Sequence, residues 1–339
     1  MKHTETEISA QRGYSEHCKS PPTASRSPQR TISVVSMFSG CGGLDLGLMG
    51  GFTYKGRLVP QSSLRILRAY DNDSACGVTY TANIGPHFEL ADLATRSVDD
   101  MPRADVLVGG FPCQEFSICG PRGGTSASRG KLYRAMVRYA RAHKPSLIVA
   151  ENVAHLPRLN NGADYARIRR AFAAVGYRCA LWQVNCPDFG IPQARQRVVL
   201  FFHRSDRKLT IDFPESPQPD YEPTAEWAIS DLEGVCDESV PNQSQYFKAG
   251  LAKSGNGQGD ERTKRNAPGY TVRANAKSRV QFHYALDRRL TVRELARLQT
   301  FPDSFVFPHA ATSNVRQIGN AVPPLLGVAI ARIVVRALG

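Results

Sequence analysis

Ile32-Ser-Val-Val-Ser-Met-Phe38-Ser-Gly40-Cys-Gly42-Gly43-Leu-Asp45 decides the fold. An apolar run with β-branched residues reads as a strand, the glycines as a tight turn, and Leu44–Met49 as a short apolar helix. Glycines at that place let the backbone turn and come close to a ligand, and the following helix offers free N–H groups. The spacing differs from the dinucleotide fingerprint G-x-G-x-x-G, because the third glycine comes at once and leaves no spacer for a pyrophosphate turn. A nucleoside cofactor without phosphates fits that spacing, and so does a plain strand–helix turn.

Outward from this stretch, further apolar runs come at Leu64–Tyr70, Ala104–Val108, Ser146–Ala150, Tyr177–Val184 and Val198–Phe202. Helical spacing lies between several of them: Leu132, Met136 and Tyr139 in 132–143, and Tyr165, Ile168 and Phe172 in 163–175. Strands alternating with helices predict a parallel, doubly wound α/β sheet with its sites at the carboxyl ends of the strands. After Arg204 the texture changes. Residues 204–286 carry scattered Pro, Gly and Asn, and from Gln245 to Arg279 eight basic residues stand against Asp260 and Glu261. This reads as a small, irregular, basic insert. Thr291-Val-Arg-Glu294 predicts a capping box opening a helix through Leu298, and Val328–Leu338 a last helix. Residues 1–30, polar and without apolar period, read as a disordered tail.

The net charge of +13 points to a polyanionic partner, most simply nucleic acid. Residues 1–30 hold five basic and three acidic residues, so most of the excess lies on the body of the chain. The eight cysteines form no C-x-x-C pair, which argues against a zinc cluster or a disulfide framework and for a reducing cytosol. No apolar segment after Met1 resembles a secretory signal, and no unbroken apolar run has the length of a membrane span.

Candidate chemistry falls at the ends of the strands. Asp71 closes the second long run in Tyr70-Asp-Asn-Asp73, where a carboxylate can accept from ribose hydroxyls; a surface turn is the plainer alternative. Cys113 follows Pro112 in the glycine-rich loop Gly109–Ser117, placed for access as a thiolate nucleophile or else structural. Glu151, in Ala150-Glu-Asn-Val153, ends an apolar run and needs a partner if buried. Gln193-Ala-Arg195-Gln-Arg197 offers forked donors before the next strand, and Gly319, in Gln317–Pro324, permits close backbone approach.

Together these residues resemble the bacterial-type cytosine-C5 DNA methyltransferases. Six blocks stand in the family's order: the F-x-G-x-G-G loop, Pro-Cys-Gln, Glu-Asn-Val, Q-x-R-x-R, the segment Arg293–Asp303 and G-N-x-V-P-P. The resemblance covers 32–203 and 287–330. It implies a Rossmann-like S-adenosylmethionine-dependent methyltransferase sheet with a small mixed target-recognition domain. The domain plan would be a tail at 1–30, a catalytic part at 31–203, a recognition domain at 204–286 and a closing part at 287–339.

It also implies residue roles. Cys113 would attack C6 of a flipped cytosine, Glu151 would engage N3 and the exocyclic amine, and Arg195 and Arg197 would hold the O2 side and the cysteine loop. Phe38, Gly40, Gly42 and Leu44 would line the methionine end of S-adenosylmethionine, with Pro112 beside it. Asp71 would take the ribose, Asn72 would lie against adenine, Asp92 would meet its amine, and Asn320 and Val322 would close the pocket. Gln114, Ser117, Thr271 and Arg273 would touch DNA, and Gln114–Gly124 would form a lid. Cys119 stands where many relatives carry a small hydroxyl residue.

The implied enzyme is a DNA (cytosine-5-)-methyltransferase without a metal. It would act on double-stranded DNA as a monomer away from membranes, in the bacterial cytoplasm with the nucleoid, alone or beside a cognate restriction endonuclease. An RNA methyltransferase of the same fold, a DNA-bound repressor and a nicotinamide oxidoreductase are the competing readings.

Overall fold

The computed structural model describes residues 30–112, 132–214, 219–246, 261–275 and 281–339. The readings made for 1–29, Cys113, Gln114, Ser117, Cys119 and the 114–124 segment lie outside the described residues.

In chain order the first half contains β1 (Ile32–Met37), α1 (Gly43–Met49), β2 (Phe52–Tyr54), β3 (Arg57–Val59), β4 (Leu64–Asp71), α2 (Ser74–Asn83), β5 (Phe88–Leu90), β6 (Val106–Gly109) and α3 (Tyr133–His143). There follow β7 (Leu147–Val153), α4 (Ala163–Ala173), β8 (Tyr177–Asn185), β9 (Gln193–Ala194) and β10 (Gln196–Arg204). The rest comprises α5 (Ala225–Ile229), β11 (Glu261–Arg262), β12 (Gly269–Tyr270), β13 (Gln281–Phe282), α6 (Val292–Leu298), α7 (Ala311–Asn320) and α8 (Pro324–Leu338).

Seven strands form the central sheet in the order β5-β4-β1-β6-β7-β10-β8. The chain starts in the middle, winds outward through β4 and β5, then returns to β6 and β7 on the other side of β1. That reversal leaves a crevice at the carboxyl ends of β1 and β6. The expectation of a parallel sheet is corrected at one strand, since β10 runs antiparallel to both β7 and β8. The cause is chain length: the link 186–195 between β8 and β10 is shorter than the dozen or so residues of a parallel crossover.

Alternating strand residues build two cores. Val34, Ile66, Val108, Val149 and Phe201 face one way, against Leu44 and Leu48 of α1, Tyr80 of α2 and Ile330 and Val334 of α8. Val35, Leu107, Ile148, Leu200 and Phe202 face the other, against Met136 of α3 and Ile168 and Phe172 of α4. The period of two in these runs is what covers both faces with helices.

The chain's far end returns to its start. A Cβ on Gly47 of α1 would lie 2.1 Å from the Pro324 carbonyl oxygen and 2.7 Å from Gly327 Cα, so α1 and α8 touch backbone to backbone. α8 begins at Pro324, earlier than the expected Val328, because proline suits the first turn of a helix. An 18-residue window within Ala311–Leu338 has a mean hydropathy of 1.8, the composition of a membrane-spanning helix. The segment is broken, however: α7 ends at Asn320, Ala321 is extended at ψ 150°, and α8 packs in the core.

A third core joins the insert to the closing segment. Ala225, Ala228, Ile229 and Val272 pack with Leu295, Leu298, Phe301 and Phe305. The expected capping box is present: Thr291 accepts from the Glu294 N–H, and Glu294 from the Thr291 N–H. All seven residues of α6 are buried, charges included. Arg293 donates to the carbonyls of Pro241, Pro302 and Phe305, and Arg297 pairs with Asp231 and Asp303. The hairpin β2–β3 clasps the insert, with Tyr54 edge-on to Trp227 and Tyr221 stacked on Trp227 at 4.0 Å.

Gly47→Ala should destabilise the protein by about 1–3 kcal/mol in urea unfolding, because the added methyl pushes α8 off α1. Alanine is the better helix former, so unchanged or raised stability would contradict the contact.

Candidate active site

The carboxyl edge of the sheet gathers two halves of a site. On one side the loop after β1 carries positive φ at Phe38 (57°), Gly40 (55°) and Gly42 (93°). Asp71, ending β4, braces this loop by accepting from Gly40 N–H at 2.8 Å and from Asp73 N–H at 3.0 Å. Burial raises the Asp71 pKa above its usual value. Each carboxylate oxygen keeps acceptor capacity beyond these bonds. Among the described residues a Cβ at Gly40 would meet nothing within 4 Å, so they leave open space over the loop.

Asn72 is exposed, and Asp92 is exposed at the same edge, where its carboxylate accepts from Ala94 N–H. Asp71 pairs with Leu90 in the β4–β5 register, so the chain passes Asp71 just before it reaches Asp92. The closing segment meets the loop from below: a Cβ on Gly43 would lie 2.4 Å from the Val322 carbonyl oxygen. Leu44 and Val322 sit in the core under the loop, with 6% and 7% of their surface exposed. Asn320, the last residue of α7, is exposed.

The other half is built on β6, β7 and β10. Gly109 pairs with Ala150, and a Cβ on Gly110 would stand 3.4 Å from Glu151 Oε2. Asn152 Nδ2 donates to the Phe111 carbonyl at 2.9 Å, which ties the end of β7 to the loop that continues through half-buried Pro112. Antiparallel pairing sets Arg197 opposite Val153. Arg197 Nε thereby stands 2.8 Å from Glu151 Oε1. Glu151 is buried at 8% exposure, and its Oε1 has no well-directed hydrogen bond among the described residues. The ion pair with Arg197 compensates the burial of this carboxylate.

Arg195 is placed differently from Arg197. It falls between β9 and β10, is buried, and donates to the carbonyls of Val272, Gly319 and Ala321. Thr271 lies close by, its hydroxyl donating to the Ala194 carbonyl at 2.6 Å, and β12 runs parallel beside β9. Arg273 is exposed. The close approach expected at Gly319 is there: a Cβ would lie 2.3 Å from the Arg273 carbonyl carbon.

Three functional placements escaped the sequence. Asn152, read only as part of Glu-Asn-Val, anchors the loop at Phe111. Gln299 donates to the carbonyls of Ile318 and Ala321. Asp45 is fully buried under the glycine turn and accepts from Ser36 at 2.7 Å and Tyr80 at 2.8 Å. A carboxylate one turn into an apolar helix was the signal for Asp45; the two amides gave none.

Residues 32–336 match the family described as C-5 cytosine-specific DNA methylase. The chain is 32% identical to the type II methyltransferase M1.HphI of Haemophilus parahaemolyticus, over 90% of this chain and 87% of the relative. It is 31% identical to the type II methyltransferase M.NgoFVII of Neisseria gonorrhoeae, over 86% and 83%. Its fold is similar to that of the methyltransferase EhMeth of Entamoeba histolytica, with a TM-score of 0.67 and 16% identity over 92% of this chain and all of that one.

Burial raises the Asp45 pKa from 3.8 to about 6, against the opposing pull of Ser36 and Tyr80. A folded-state value above the unfolded one favours the folded protein at low pH, and that advantage is lost as pH rises from about 4 through about 6. Relative to Asp45→Asn, the wild type should lose on the order of 3 kcal/mol of unfolding free energy across that window. A difference between the two proteins that is flat in pH would contradict a buried, titrating Asp45.

Proposed function

The chain belongs to the C-5 cytosine-specific DNA methylase family, and from that premise we propose how its residues methylate C5 of a cytosine flipped out of duplex DNA. One observation carries the reading. A buried Glu151, ion-paired through Oε1 to Arg197, stands beside Gly110 in the loop that leads on to Cys113.

Cytosine C5 is a weak nucleophile. On this reading the Cys113 thiolate adds to C6, forming the S–C6 bond and sending the ring's electron pair toward C5. Glu151 holds a proton at N3, which drains the ring and favours the addition. Arg197, oriented by its ion pair with Glu151, donates to O2. Once C5 carries the new methyl group, its proton leaves to a base, the double bond re-forms and the sulfur departs. Cys186 is the described cysteine beside this site, but it is fully buried and burial pushes its thiol up to about 11. It is no rival nucleophile.

The methyl donor on this reading is S-adenosylmethionine, which supplies an electrophilic methyl on a sulfonium. The residues fit it. The open space over Gly40 would take the methionine end, beside Phe38, Gly42 and Pro112. Asp71 keeps lone pairs for ribose hydroxyls, and Asn72 and Asp92 stand along the same edge toward the adenine. Leu44 of α1 would also line the methionine end, and Asn320 and Val322 would wall the pocket from the closing segment.

Residues 204–286 would form the recognition domain between the catalytic parts 31–203 and 287–339. Thr271 and Arg273 would meet the DNA backbone or base edges, and Gln114 and Ser117 would join them from the cysteine loop. Phosphate contacts give affinity and base-edge contacts give the site. The type II relatives favour a bacterial restriction-modification setting, with a cognate endonuclease and a cytoplasmic place near the nucleoid.

In a labelled-methyl assay the protein should modify duplex DNA and not RNA. Incorporation into RNA alone would overturn the substrate. Cys113→Ala should abolish transfer while duplex binding persists. Glu151→Gln should lower the rate by about 10²–10⁴, and a rate within a few-fold of wild type would remove Glu151 from the chemistry. Bisulfite sequencing of DNA from expressing cells should show conversion-resistant cytosines at one recurring motif.

A further inference from the structure

A cation buried as deeply as Arg195, at 2% exposure, ordinarily has a carboxylate against it. This one is held by backbone. Its terminal nitrogens donate to Val272 O at 3.4 Å, to Gly319 O at 3.3 and 3.4 Å and to Ala321 O at 3.0 Å. Its Nε has no hydrogen-bond partner among the described residues. Burial draws its pKa down to about 9, with the Arg197 charge adding to the effect and Glu151 opposing it. An apolar side chain of similar volume would pack here without that cost. What it could not do is bond two separate segments at once, the insert at Val272 and the end of α7 at Gly319 and Ala321.

Those segments lead to different parts of the site. Val272 follows Thr271 in the insert. Gly319, in the last turn of α7, lies against the backbone of Arg273 and Ala274. Ala321 precedes Val322, whose carbonyl lies on Gly43 of the glycine turn. Arg195 itself stands two residues before Arg197. Two glutamines extend the junction. Gln193 accepts from Val272 N–H at 3.0 Å and donates to Leu298 O and to Gln299. Gln299 donates to Ala321 O at 2.6 Å, the same oxygen that Arg195 holds.

We propose that Arg195 is a positioning residue that couples the methyl-donor pocket to the DNA-recognition segment. Filling the pocket beside Val322 orders Ala321, and the guanidinium passes that order to Val272 and to the strand bearing Arg197. This rests on the assignment of both ligands made above. A residue that only holds the fold together would weaken both ligands alike, whereas a coupling residue changes how each affects the other.

The test is a thermodynamic cycle. S-adenosylhomocysteine binding is titrated by calorimetry with and without a duplex carrying the mapped site, for wild type and Arg195→Lys. Lysine keeps the charge but replaces the planar fork with one point of contact. In wild type the duplex should tighten S-adenosylhomocysteine by about fivefold or more. In Arg195→Lys that ratio should approach one while binding of S-adenosylhomocysteine alone is nearly kept. Gly319→Ala, which drives a methyl into Arg273 and Ala274, should lose the ratio in the same way and decides the matter if the lysine variant does not fold. Wild-type protein that binds both ligands without coupling, a folded variant with the full ratio, or one whose separate affinities fall together with it would overturn the proposal. Wild-type protein that binds neither ligand would instead overturn the function proposed above.

Discussion

Arg197 reaches Glu151 because β10 runs antiparallel to β7, with Arg197 opposite Val153 and Val199 opposite Glu151. Were β10 parallel, its first residues would sit at the amino edge of the sheet, a strand's length from the carboxylate. The short link from β8 forbids that arrangement. A constraint on chain length therefore sets the charge pair on which the rest of the site is arranged. Gly110 lies beside Glu151, and Asn152 holds Phe111 next to it.

The opposite half depends on closeness of backbone. Gly47 against Gly327 lets α8 lie on α1, and Gly43 lets the Val322 carbonyl reach the turn after β1. Residues nearly 300 positions apart thus share one wall. Arg195, Gln193 and Gln299 join that wall to the insert through carbonyls that no apolar core could satisfy. The insert contributes to a core shared with α6, so recognition and catalysis rest on common packing.

Much of this was legible in the sequence. The runs from Ile32, Leu64, Ser146, Tyr177 and Val198 are strands because buried strands of an α/β sheet are continuous and apolar. The Thr291–Glu294 capping box has a spacing that only a helix start satisfies. Direction was less legible, since an apolar run reads the same either way, and β10 was misjudged for that reason. The hairpin at Phe52–Val59 was missed because three-residue strands show no period. Its turn signal was Lys55-Gly56, both at positive φ, rather than the commoner Asn-Gly. Arg293, Glu294 and Arg297 of α6 are buried because each finds partners there, Pro241 and Asp231 from the distant insert for the two arginines and the nearby Arg288 for Glu294. The two arginines of Q-x-R-x-R look equivalent in sequence. A break between β9 and β10 separates them, one toward carbonyls and the other toward a carboxylate.

The central claim is that a cysteine sulfur at position 113 bonds transiently to cytosine C6 beside Glu151. Fluorine at C5 cannot leave as a proton does, so a duplex with 5-fluorocytosine at the mapped site should arrest the reaction with that bond intact. Mass spectrometry of the digested complex should place the adduct, methyl group included, on the peptide containing Cys113. Active enzyme that yields that peptide unmodified, or an adduct on another cysteine, would contradict the account.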